Sequence, residues 1–150
     1  DLVRSRGLGD VYKRQEQAKG LEVTSKIATV VNLFKLPFPD AKADLKPWRN
    51  DPETINWVDP HSIDIGFHFP GWSRRFQCRS MLTQIRLHHD PEEAKQRMIG
   101  VEVVAFNHQG EAWRLSTIDN WKLIGNCQPA PDVEEKLKNF CRQVFELFSS

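Results

Sequence analysis

Between Asp132 and Phe148 the apolar residues return every three or four positions: Val133, Leu137, Phe140, Val144 and Leu147, with Cys141, Phe145 and Phe148 widening the stripe. That period belongs to an amphipathic helix, and a stripe this apolar must be covered by another part of the chain. Asp132 is expected to cap the helix, with Glu135 completing a capping-box-like pair. A helix at about 132–148 in need of a cover is the strongest constraint on the fold.

The cover is read from a second period. Ile63, Ile65, Phe67 and Phe69 alternate with Asp64, Gly66 and His68, the signature of a half-buried strand. Pro70-Gly71 is expected to turn the chain, and Phe76 to Leu87 to form a longer second strand. Its apolar phase moves from even positions (Phe76, Cys78, Leu82) to odd ones (Ile85, Leu87), which predicts a bulge near residues 80–84. Ile99, Val101, Val103 and Ala105 define a third strand, Asn107-His108-Gln109-Gly110 a hairpin loop, and Trp113, Leu115 and Thr117 a fourth strand. Trp121-Lys122-Leu123-Ile124 supplies a short fifth in the longer version of the sheet.

At the other end, Ile27, Val30, Val31 and Phe34 share one helical face, with Thr24 or Ser25 available as a cap. The β-branched content of this segment argues for a strand; the helical spacing is preferred. Pro37 and Pro39 end the element in either case. Six of the nine prolines then fall between Pro37 and Trp72. They share that stretch with several aromatics, so it reads as irregular chain held against the domain. A short helix from Asp51-Pro52-Glu53 to about Val58 interrupts it.

The predicted fold class is therefore α+β. An antiparallel sheet of four to five strands (about 63–69, 75–88, 98–106, 111–118 and the optional 121–124) packs against an N-terminal helix (about 24–35) and a C-terminal amphipathic helix (about 132–148).

Residues 1–15 are set apart as a non-native or disordered leader, leaving 16–150 as a single α+β domain. The run Asp10-Val11-Tyr12-Lys13-Arg14-Gln15 reads as the translation of a sequencing-library transposon adapter, with Gly7-Leu8-Gly9 fitting the same junction, and no Met precedes Met81. The full chain has 21 Lys+Arg against 20 Asp+Glu; without residues 1–15 the balance is 17 against 18. A near-neutral domain gives no global case for nucleic acid or an anionic membrane. Cys78, Cys127 and Cys141 are odd in number and widely spaced, which predicts three free thiols and a reducing, cytoplasmic location. No apolar run reaches the roughly 20 residues of a membrane helix.

No catalytic or metal site is expected, and no cofactor. His88-His89-Asp90 is the densest group of metal-ligand types, but adjacent histidines on a strand point to opposite faces, and a strand-end turn explains the same letters. Asp64 and His68 share a face about 13 Å apart by the strand rise, too far to grip one ion with His61. None of the serines or cysteines sits in a nucleophile elbow, and the glycines are scattered singly, so no phosphate-cradling loop is present.

The richest stretch for recognition runs from Phe69 to Arg79. Trp72 stands beside Arg74, Arg75 and Arg79, the residue types that most often anchor interfaces. A plain hairpin with solvated arginines explains the same letters. Trp72, Arg74, Arg75, Arg79 and Trp48 form the expected contact surface, with another protein as the expected partner. Single-stranded nucleic acid through the arginine patch is one alternative. A small-ligand pocket or an unrecognised active site between sheet and terminal helix is another. The breadth of the terminal stripe leaves room for a homodimer.

The stretch His61-Ser62-Ile63-Asp64-Ile65-Gly66-Phe67-His68-Phe69-Pro70-Gly71-Trp72, continuing to Leu87, resembles small hypothetical proteins of marine cyanobacteria. The resemblance implies an accessory role and assigns no site, so function is read as unknown, with a non-catalytic protein-binding or accessory domain preferred.

Overall fold

The computed structural model describes residues 22–47, 62–90 and 95–149, with the backbone alone at 89, 90, 95 and 96. Helix α1 (22–35) is followed by β1 (Lys42–Asp44), β2 (Ser62–Ser73), β3 (Cys78–Asp90), β4 (Lys95–Asn107), β5 (Gly110–Ser116), β6 (Lys122–Gly125) and α2 (Pro131–Ser149). The strands form one antiparallel sheet in sequence order, β1 to β6. The fold class is α+β, with a sheet one strand larger than the alternation of apolar residues announces. Strand β1 adds itself through backbone pairing with Gly66–His68, and its side chains carry no apolar alternation.

Register decides which side chains share a face, because directly paired residues of antiparallel strands point the same way. Phe67 pairs with Met81 and Met81 with Ala105; Ala105 pairs with Trp113. Ile85 pairs with Val101, and Val103 with Leu115. All of these are buried on one face.

Both helices contribute to that core. Helix α2 packs across β4 and buries Val133, Leu137, Phe140, Cys141 and Val144. Helix α1 delivers Val30 and Phe34, each fully buried. The Phe34 ring stacks on Phe67 with centroids 3.7 Å apart and receives Phe140 edge-on at 5.3 Å. One side chain thus joins α1, the sheet and α2. Each such burial stabilises the fold by roughly 1.5–3 kcal/mol.

Several local expectations are corrected. The chain does not turn at Pro70-Gly71: β2 continues to Ser73 and the turn lies at residues 74–77. There the Ser73 hydroxyl accepts hydrogen bonds from the Arg75 and Phe76 amides, Gln77 takes a left-handed φ of 55°, and its amide donates to the Ser73 carbonyl.

No bulge falls at 80–84, where pairing with β2 is unbroken; the shifts lie opposite Arg79, within residues 69–72, and at Arg86/Leu87. Leu82 misleads the phase because it is buried on the opposite face, level with Val104. Ile99 leaves the β4 stripe: it is the extra residue between the Arg86–Gly100 and Leu87–Met98 pairs, and half of it is exposed.

Asp132 is not the cap of α2. The helix opens at Pro131, whose missing amide hydrogen costs nothing there, and Asp132 sits in the acidic first turn. Thr24 and Ser25 likewise lie inside α1, where Thr29 donates its hydroxyl to the Ser25 carbonyl. His88 to Asp90 stay in β3, paired with residues 95–97 of β4, so the strand runs two residues past its expected end at 88. The short helix read at 52–58 lies outside the described residues.

Candidate functional site

The hairpin between β2 and β3 is fixed from below before it presents anything. The Arg75 guanidinium pairs with the Asp132 carboxylate at the start of α2, and the Arg75 carbonyl accepts the Ala130 amide at 2.8 Å. The indole N–H of Trp113, a fully buried residue, donates to the Phe76 carbonyl at 2.8 Å. Under the turn, Phe69 meets Phe76 at 4.7 Å and Phe38 closes on Phe76 edge-on at 5.5 Å. The Arg75–Asp132 pair is half exposed and contributes at most about 1 kcal/mol to stability, so its effect is to fix position.

Above this clamp Trp72 is 53% exposed, a large apolar side chain in water. Arg74 and Arg79 are also exposed. Among the described residues these two are the arginines whose guanidinium groups have no partner. Arg75, Arg86, Arg114 and Arg142 are hydrogen-bonded to Asp132, Glu102, Glu111 and Asn139, and Arg97 is also engaged.

The nominated residues therefore divide. Trp72, Arg74 and Arg79 lie on the exposed hairpin region, whereas Arg75 is committed to Asp132. Trp48 lies outside the described residues.

On the sheet face away from the helices, register builds two polar features that sequence reasoning missed. Glu102 of β4 is buried and receives Arg86 of β3 at 3.3 Å, Arg114 of β5 at 3.5 Å and the Ser116 hydroxyl at 3.2 Å. Three strands are cross-linked by this carboxylate, whose charge is fully answered in place.

The second feature is a groove of about 350 Å³ at one end of the sheet. Its walls come from His68 and Phe69 of β2, Arg79 and Ser80 of β3, and Phe106 to His108 at the end of β4. His68, Ser80 and Phe106 are cross-strand neighbours, and no spacing in the sequence announces that.

Asp64 and His68, set aside as ligands of one ion, have other partners. Asp64 accepts the Ser62 hydroxyl at 2.8 Å, and His68 stands 3.5 Å from Asp44 of β1. No group of three or more His, Cys, Asp or Glu among the described residues is arranged to hold a metal ion. The cysteines are unbridged. Burial pushes the Cys78 and Cys141 thiols up to about 12, with Cys127 adding to the effect at Cys78 and Arg142 opposing it at Cys141. Buried thiols of this kind are poor nucleophiles. The space between α2 and the sheet is filled by Phe34, Phe140, Trp113 and Leu137, each at most 1% exposed. No described helix is long and apolar enough to cross a membrane.

These features define an α+β domain with one sheet face roofed by two helices and a clamped, aromatic and basic hairpin at the edge of the roof. A family model described as a domain of unknown function matches residues 15–150, and the chain belongs to that family. No curated protein and no solved structure matches it.

Proposed function

We propose that the chain is a non-catalytic accessory domain that binds another protein through the β2–β3 hairpin. The observation that carries the reading is Trp72, half exposed on a hairpin already immobilised by Arg75–Asp132 and by the phenylalanines beneath it. A rigid aromatic anchor loses little conformational entropy on docking, and Trp and Arg are the side chains enriched at interface hot spots. The uncompensated charges of Arg74 and Arg79 select a partner surface with an apolar pocket bordered by carboxylates.

Single-stranded nucleic acid would use the same side chains. Among the described residues the two unpartnered guanidinium groups neutralise only about two phosphates, which favours the protein partner. The three unbridged thiols support a cytoplasmic setting, and the likeness of residues 61–87 to small cyanobacterial proteins supports an accessory role.

The test is site-specific photo-crosslinking in intact cells. A Cβ at Gly71 meets nothing within 4 Å, so a photoreactive residue fits there without disturbing the hairpin. The expected result is a discrete protein adduct that disappears when Trp72→Ala or Arg74→Glu is added. An adduct unaffected by both changes, or adducts no different from those formed at Lys122 on the far edge of the sheet, refutes the reading.

A further inference from the structure

We propose that the groove beside the hairpin is a binding site for a small planar aromatic molecule carrying an oxyanion, a ligand of mononucleotide size. The proposal goes beyond the protein-docking reading; it shares Arg79 with that surface but not Trp72, which is not among the groove's walls.

Arg79, whose guanidinium has no partner among the described residues, lines the recess together with Ser80, His68 and His108. The acids nearby are already engaged. Asp44 stands 3.5 Å from the His68 Nε2, and Glu111, paired across from Phe106, is held by Arg114 at 2.8 Å. The unanswered charge at the groove is positive, and a planar guanidinium with an adjacent hydroxyl suits a carboxylate or phosphate.

Phe106 is half-buried in the wall and gives a planar apolar surface for a ring, with a histidine on the neighbouring turn. Asn107 has its Oδ1 occupied by the Gln109 amide at 2.9 Å, which leaves its NH₂ group as a donor at the rim. About 350 Å³ lies at the lower end of the roughly 300–1,000 Å³ range of small-molecule sites, enough for one ring and one anionic group. The recess is bounded by three strands whose register is fixed, so it exists without the ligand.

Isothermal titration of the full chain with adenosine monophosphate, and separately with inorganic phosphate, tests this. The nucleotide is expected to bind at one saturable site. Arg79→Gln should weaken it by about tenfold or more, the loss of one charge-assisted contact. Phe106→Leu should weaken it by about fivefold or more while changing phosphate binding little. His108→Ala, at an exposed turn position, is the variant that cannot disturb the sheet and should weaken the nucleotide by about threefold. Trp72→Ala should leave binding within about twofold, so that failure of the docking surface and failure of the groove are read separately. No saturable binding of the nucleotide at millimolar concentration overturns the proposal. So does phosphate binding as tightly as the nucleotide with no effect of Phe106→Leu.

Discussion

Phe34→Ala should be the most damaging single truncation in the molecule. Its ring is fully buried and touches three layers at once, stacking on Phe67 at 3.7 Å, meeting Phe140 edge-on at 5.3 Å and lying 5.0 Å from Phe38. Truncating a buried phenylalanine costs about 3–5 kcal/mol, the sum of lost transfer energy and the cavity left behind. The upper half applies here, because the cavity would be walled by Phe38 just past α1, by Phe67 and Phe69 of β2 and by Phe140 of α2, rings that cannot all move inward together.

A domain's total stability is about 5–15 kcal/mol, so the variant should keep between almost none and about 10 kcal/mol of it. At roughly 3–4 °C per kcal/mol for a chain of this size, the melting midpoint should fall by on the order of 10–20 °C. Urea titration followed by circular dichroism measures the loss. A double-mutant cycle of Phe34→Leu with Phe140→Leu should show a coupling of about 0.5–1.5 kcal/mol. A loss below about 1.5 kcal/mol for Phe34→Ala, or additive leucine variants, would show that the two helices do not share one core with the sheet.

The remaining predictions concern polar and titratable groups. Thr83 is fully buried on the core face and its hydroxyl has no hydrogen-bond partner, so Thr83→Val should stabilise the protein by about 1 kcal/mol in the same urea assay; a loss of stability would mean the hydroxyl is satisfied. Glu102→Ala leaves Arg86 and Arg114 facing each other without their shared carboxylate and should cost about 3 kcal/mol, whereas an exposed pair would cost under 1.

The raised thiols of Cys78 and Cys141 keep these groups protonated in the fold when the unfolded chain has released its protons. Stability should therefore be flat below about pH 8 and fall as pH rises from about 9 toward 12. A thiol reagent at pH 8 should label Cys127 first and reach Cys78 and Cys141 only on unfolding; equal labelling of all three in the native protein would contradict the burial.

The periodic parts of the fold were legible in the residues. The stripe from Val133 to Leu147 gave α2 and the face it buries, and Ile63, Ile65 and Phe67 gave β2 and its core side. What escaped was whatever depends on pairing. Strand β1 is a Lys-Ala-Asp segment that joins the sheet through its backbone, and a hydrophobic pattern cannot report that. Leu82 and Val104 are buried on the second sheet face, so reading every apolar residue as core-facing placed a bulge where pairing is regular.

The candidate site shows the same division. Trp72, Arg74 and Arg79 were visible as residue types within one short segment. The capture of Arg75 by Asp132, 57 positions away, was not, and neither was the alignment of His68, Ser80 and Phe106 across three strands.

Hydroxyl-radical footprinting of the tryptophans, on the purified chain and inside cells, tests the docking surface most directly. In the purified protein Trp72 should oxidise far faster than fully buried Trp113, and inside cells that contain the partner Trp72 should become protected while Trp113 is unchanged. A Trp72 as protected as Trp113 in isolation, or one equally reactive in both settings, would contradict the account.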